Sequence, residues 1–234
     1  MQENTIFVRS YQQQDQRLLI NEREIWRYAG YRGVVDQMDA ELKHTLEQVV
    51  QELKQRFSYK VCYRRMDIEW EGHMPVLPFP SSSQNLARCL KGSSQVVIFA
   101  ATVGLEIDRY IARYQRLSPV KALMAQAYGA ERIESLCDAF CNEIQDEVMK
   151  EGYCCSTRFS PGYGDLPLET QVDIFRLLDC SKQIGISLNQ SLLMTPSKSV
   201  TAIMGLGTRG MSTGTHKCRE CNKKQCEYRK QEEE

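Results

Sequence analysis

Three sulfurs near the end of the chain are the first residues whose spacing could do chemistry. The run His216-Lys217-Cys218-Arg219-Glu220-Cys221-Asn222-Lys223-Lys224-Gln225-Cys226 contains C-x2-C-x4-C, short enough for one loop to aim three thiolates at a common centre. With a fourth ligand from His216 or a distant cysteine such a set suits zinc. With an open position it suits an iron-sulfur cluster. The order differs from C-x3-C-x2-C, and no second cysteine pair accompanies it, so a redox-sensitive tail is the competing reading.

The second constellation is Arg158 to Pro167, RFSPGYGDLP. An arginine offers a rigid, permanently charged fork for a carboxylate, and a glycine lets backbone approach a bulky ligand closely. Tyr163 adds an aromatic face beside which a flat or cationic group can lie. On residue types alone the stretch also fits an ordinary turn, since Pro-Gly and Gly-Tyr pairs are common there. Glu134 and Asp138 lie four apart in a helical pattern, hence on one face, where like charges repel slightly unless a cation or ligand donor comes between them. A pair of solvated carboxylates is the plain alternative.

The remaining candidates point to packing. Cys62 lies in a strand-like run, Cys89 beside Leu90, and Cys137 and Cys141 one helical turn apart near Phe140, settings typical of small buried thiols. Cys154 and Cys155 are adjacent and carry no local signature. His44, among polar neighbours on a helix, reads as a solvated surface histidine. No Ser/His/Asp or Cys/His arrangement suggests a nucleophile and base.

The elements that must hold these residues follow from periodicity. Asn21 to Tyr31 predicts a short helix stopped by Gly33, and Asp36 to Phe57 a helix of about five to six turns, with Met38, Leu42, Leu46, Val49, Val50 and Leu53 on one face. Tyr59 to Trp70 has strand character until the proline-rich MPVLPFPSSS breaks it into a loop or irregular edge. A short helix over Gln84 to Leu90 precedes a buried strand, Gln95 to Ala101. Leu105 to Tyr114 begins a helix with Glu106 and Asp108 in its first turn. Pro119 opens the longest helical pattern, its apolar face running from Val120 and Leu123 through Phe140 to Val148, before Gly152. Pro167 to Leu178 predicts another amphipathic helix, and Ile186 to Met194 and Val200 to Leu206 two strands flanking TPSKS.

Against that framework RFSPGYGDLP matches the R-x-x-x-G-Y-x-x-x-P signature of the activation domain of cobalamin-dependent methionine synthase, and the chain resembles that family. AATVGLEID resembles its strand-to-helix junction, LCDAFCNEIQDEVMK the helix that supplies an acidic ligand residue, and LLMTPSKSV with TAIMG its methionine-proline and serine-valine strand region. The resemblance spans roughly 95 to 206; the first 94 residues agree in order of elements only. It implies an α+β single domain with a mainly antiparallel twisted sheet, several helices and one long central helix. It implies an S-adenosylmethionine site drawing on Arg158, Ser160, Gly162 and Tyr163, with Asp138 as the acid and Glu134 as its substitute. A further family acid from the N-terminal part has no clear counterpart. The expected organisation is an N-terminal part of the same domain at 1–94, the ligand-binding core at 95–210 and the cysteine tail at 211–234.

The resemblance also implies a function: binding S-adenosylmethionine in support of reductive methylation of cob(II)alamin on a partner. That partner is a methionine synthase or another corrinoid protein, with an electron donor such as a flavodoxin or ferredoxin. No homocysteine, folate or cobalamin module is recognisable, so a stand-alone version of the domain is expected, a reactivation component rather than a complete methyltransferase. The competing class is a metal-binding redox or interaction module built on the cysteine tail. Bulk composition agrees with either. Lys+Arg and Asp+Glu each total 30 of 234 residues, leaving no surplus charge to attract a nucleic-acid backbone. MQENTIFVRSYQQQDQ has no basic start or apolar stretch of a secretory signal, and no apolar run could span a bilayer, so a cytoplasmic protein is expected.

Overall fold

Side-chain alternation along three long strands explains the architecture. In the computed structural model, which describes residues 5–12, 14–31 and 39–208, β1 (Phe7–Tyr11), β2 (Tyr59–Asp67), β5 (Ser93–Thr102), β9 (Ser199–Thr208) and β6 (Tyr153–Cys155) form one antiparallel sheet in the order β1-β2-β5-β9-β6. Register runs from Lys60↔Thr102 to Asp67↔Gln95 between β2 and β5, and from Thr102↔Ser199 to Ser93↔Gly207 between β5 and β9. Val61, Tyr63, Val97, Phe99, Ala101, Ala202, Met204 and Leu206 enter one core. Their neighbours Cys62, Val96, Ile98, Ala100 and Ile203 enter a second core on the opposite face. Central strand β5 is therefore apolar on both sides, which is why VVIFAA reads as an unbroken run.

The first core holds α1 (Glu22–Tyr28), α2 (Ala40–Leu53), α4 (Glu106–Leu117) and α5 (Pro119–Met149); the second holds α3 (Gln84–Leu90), α6 (Thr170–Leu178) and α7 (Cys180–Ile184). α5 is the long central helix that was expected. Ser118 caps it by accepting the Lys121 amide, with Pro119 in its first turn, where a missing N–H costs nothing. Gly152, at φ +84°, turns the chain away after α5. Phe140 anchors the middle of α5 on the sheet, its ring 4.9 Å from Phe99 and 5.1 Å from Tyr63. The apolar face starts later than the sequence suggests: Val120 and Leu123 point outward, and burial begins at Ala122 and Met124.

Other boundaries differ for local reasons. α1 ends at Tyr28 with Gly30 at φ +87°, three residues before the expected stop at Gly33. α2 is capped by Asp39, the expected start at Asp36 lying outside the described residues, and it ends at Leu53 rather than Phe57 because the chain must turn to enter the sheet at Tyr59. The proline-rich stretch is partly ordered as a hairpin, β3 (Glu69–Glu71) with β4 (Met74–Val76), which seats Pro75 opposite Trp70. The predicted strand from Ile186 to Met194 is instead a small hairpin, β7 (Ser187–Leu188) with β8 (Met194–Thr195). The Asn189 side chain accepts the Ser191 and Leu193 amides there, both at 2.9 Å, and closes the turn. β1 and α7 were not anticipated; β1 is a half-exposed edge strand without an apolar rhythm.

Candidate functional site

Strand alternation also aims the site. After β6 the chain runs on beside β9, with the Ser156 amide donating to the Gly205 carbonyl at 2.8 Å and Phe159 exchanging two 2.8 Å hydrogen bonds with Ile203. Phe159 packs into the second core, so its neighbour Arg158 faces the opposite side of the sheet, where α5 lies. There the Arg158 guanidinium is held by two carboxylates one helical turn apart: Nη2 donates to Glu134 Oε2 at 2.6 Å and Nη1 donates to Asp138 Oδ1. The cation thus sits between the like charges that helical spacing had set side by side.

Exposure is unequal across this triad. The Arg158 side chain retains 14% of its accessible surface, against 44% for Glu134 and 62% for Asp138. Burial works against the charged guanidinium, but the neighbouring anionic groups outweigh it and raise its pKa, so it stays ionised at any physiological pH. Beneath it the Cys137 thiol is fully buried, and burial pushes its pKa up, leaving it neutral and structural. Two donors are committed to α5; the guanidinium has five N–H groups in all, enough to serve a further acceptor.

Ser160, Gly162 and Tyr163 occupy the turn that follows. The Ser160 carbonyl accepts the Tyr163 amide at 3.2 Å, and the Leu166 carbonyl accepts the Gly162 amide at 2.9 Å. Gly162 has φ +86°, a backbone state that a side chain disfavours. Leu166 is buried and anchors the turn, whereas the Tyr163 ring is 69% exposed. The structure therefore ties Arg158, Glu134 and Asp138 into one bonded group and presents Gly162 and Tyr163 on the adjoining turn. Two surface clefts, of ≈ 490 and ≈ 590 Å³, include neither Arg158 nor Tyr163 among their lining residues.

Two supporting features escaped the sequence. Glu131 and Arg132 form a buried ion pair on α5. Arg132 donates to the Leu18 and Leu19 carbonyls at 2.7 and 2.8 Å, while Glu131 accepts the Asn21 amide at 3.0 Å. This docks the segment before α1 against the same helix that carries Glu134. Adjacent opposite charges at an otherwise apolar helical position were the available signal. Asp165 is the other: its carboxylate accepts from Ser83 Oγ, from the Gln84 amide at 2.8 Å and from the Asn85 amide at 3.2 Å. Its partners lie about 80 positions away in sequence, beyond any local pattern.

Of the four cysteines read as packing residues, Cys62 and Cys137 are buried and Cys89 and Cys141 partly so; of the adjacent pair without a local signature, Cys155 is buried and Cys154 partly so, all as free thiols. Cys218, Cys221 and Cys226 lie outside the described residues, among which no cluster of three or more His, Cys, Asp or Glu could hold a metal. No described helix is long and apolar enough to cross a membrane.

Comparison with known proteins gives matches of two kinds. A sequence model of the family described as vitamin B12 dependent methionine synthase, activation domain, matches residues 85–233, extending past both ends of the stretch whose motifs suggested it. A solved structure of the MetH reactivation domain bound to AdoHcy superposes with a TM-score of 0.66 at 14% identity, covering 86% of this chain and 78% of that one. At that identity the likeness is one of fold. No curated protein matches by sequence.

Proposed function

The chain belongs to the family of vitamin B12-dependent methionine synthase activation domains, and from that premise we propose that it binds S-adenosylmethionine at the Arg158–Tyr163 segment and supports reactivation of a corrinoid methyltransferase. The observation that carries this reading is the Arg158 guanidinium fixed between Glu134 and Asp138 beside the Gly162–Tyr163 turn. Arg158 supplies a fork for the carboxylate of the ligand's amino-acid part. Glu134, half-exposed, and Asp138, mostly exposed, put negative charge where a sulfonium or amino group gains from it. Gly162 leaves the backbone bare for close approach, and the Tyr163 ring offers a face to the nucleoside or the sulfonium. Ser160 contributes backbone and hydroxyl groups at the base of the turn.

The reactive chemistry belongs to the corrin on a separate cobalamin-binding methionine synthase or related corrinoid protein. There an electron from a flavodoxin or ferredoxin would reduce Co(II) and the corrin would accept the sulfonium methyl held by Arg158 and its neighbours, releasing S-adenosylhomocysteine. This chain's share is positioning and electrostatics, for which no general acid or base is needed. We place the activity in the cytoplasm. The cysteine tail, within the span matched by the family model, is proposed as a zinc or iron-sulfur site.

Titration calorimetry of the purified chain with S-adenosylmethionine tests the reading. We expect saturable one-to-one binding that S-adenosylhomocysteine competes away and that Arg158→Ala weakens strongly. Absence of binding by the wild-type chain would remove the proposal.

A further inference from the structure

The Gly162–Tyr163 turn is held at both shoulders, and the two holds differ in kind. On one side Phe159 bridges to Ile203 and is part of the sheet. On the other, beside Leu166, which shares a core with Leu86 and Leu90 of α3, the turn is hydrogen-bonded to α3 by the Asp165 side chain. Its two oxygens take three donors from α3 and its cap: the Ser83 hydroxyl and the amides of Gln84 and Asn85. Ser83 in turn accepts the Leu86 amide at 3.0 Å, so cap and carboxylate form one network. That network holds the Asp165 carboxyl below the usual carboxylate range, the Ser83 hydroxyl contributing most.

The backbone beside Asp165 fits α3 with no room to spare. Gly164 has φ +55°, and a Cβ there would lie 2.7 Å from Asn85 Nδ2 and 3.1 Å from Asn85 Cγ. Between the two shoulders, the 2.9 Å hydrogen bond from the Gly162 amide to the Leu166 carbonyl and the 3.0 Å bond from the Leu166 amide to the Tyr163 carbonyl pass the position of Asp165 on to the turn. Tyr163 itself is 69% exposed.

We propose that Asp165 is the positioning residue of the ligand turn: by clamping Gly164–Leu166 to the start of α3 it sets the distance at which Gly162 and Tyr163 stand from the Arg158 fork. This rests on the S-adenosylmethionine reading above and adds a residue to it. Asp165 does not touch the ligand, and α3, remote in sequence, becomes part of the site's frame.

Three variants, each measured for stability, amide exchange and S-adenosylmethionine affinity, test the clamp. Asp165→Ala removes it: exchange at residues 160–166 rises without ligand, while β5 and β9 stay protected, and affinity falls by about tenfold or more, as expected for a reacting or binding group displaced by an ångström. Asp165→Glu separates positioning from capping. The longer arm still accepts the α3 amides and keeps the unfolding midpoint near wild type, yet one added methylene, about 1.5 Å, moves the turn and lowers affinity. Ser83→Ala lowers affinity less than Asp165→Ala and adds nothing in the Asp165→Ala background. Unchanged affinity in both Asp165 variants, or unchanged exchange at 160–166 in Asp165→Ala, overturns the proposal. If the wild-type chain fails to bind S-adenosylmethionine, the ligand reading falls, and the exchange data still decide whether Asp165 holds the turn.

Discussion

Replacing Arg158 by alanine separates a binding role from a structural one, because the two have different sizes here. The structural loss is small. Glu134 and Asp138 are 44% and 62% exposed, so on losing their cation both return to water, and pairs with so wet a partner contribute about 0–1 kcal/mol. The aliphatic stem of Arg158 adds some lost packing, for a total of about 1–2 kcal/mol, typical of single substitutions. The binding loss is larger. A charge-assisted hydrogen bond to a ligand carboxylate contributes about 1.5–3 kcal/mol, and at about 1.4 kcal/mol per decade this becomes roughly a 10- to 150-fold weaker Kd. Calorimetry at a temperature where urea melts show the variant folded gives both numbers. An affinity within threefold of wild type, or an unfolding free energy lowered by more than about 4 kcal/mol, refutes the reasoning: the first removes the fork from the ligand, the second makes the triad a structural brace.

Three further outcomes follow. Gly162→Ala places a side chain at φ +86° with its Cβ 3.2 Å from Leu168 Cδ1, so urea melts should record a loss of about 1–3 kcal/mol together with weaker ligand binding. At acid pH the Glu143 carboxylate matters. Burial alone would raise its pKa, but hydrogen bonds and charges from Tyr11, Arg9 and Arg17 lower it below the ordinary 4.5. Its stabilisation is therefore complete above that value and lost as pH falls through the lowered one, and Glu143→Gln should flatten the acid limb of a stability–pH curve. For the tail, elemental analysis of protein purified without chelator should find zinc or iron, and Cys218→Ser with Cys221→Ser should abolish it.

Much of the helical framework was legible because its signals are local. Pro119 after the capping Ser118, the 3.6-residue apolar rhythm to Val148 and Gly152 beyond it define α5 without reference to anything else. The short helical run Gln84–Leu90 became α3, with Ser83 found as its cap in the structure. The misread elements are those whose stability comes from elsewhere. β1 leaves Phe7 and Val8 partly exposed and exists because β2 offers it a ladder from Phe7↔Tyr63 to Tyr11↔Tyr59. The stretch from Ile186 to Met194 has strand-forming residues, but the Asn189 side chain competes for its amides and closes a turn.

At the site the division is the same. Residue types and spacing alone determined that Glu134 and Asp138 share a helical face and that RFSPGYGDLP is a turn with a cation at its head, because both are properties of short-range geometry. Only the tertiary structure decided that the cation fills the gap between those two acids, and that Asp165 reaches α3, because the groups are joined by side chains crossing between elements 20 and about 80 residues apart in sequence. Nothing in a local pattern encodes which distant donor a carboxylate will meet; that is settled when the sheet closes and places β9, α3 and α5 around the same loop.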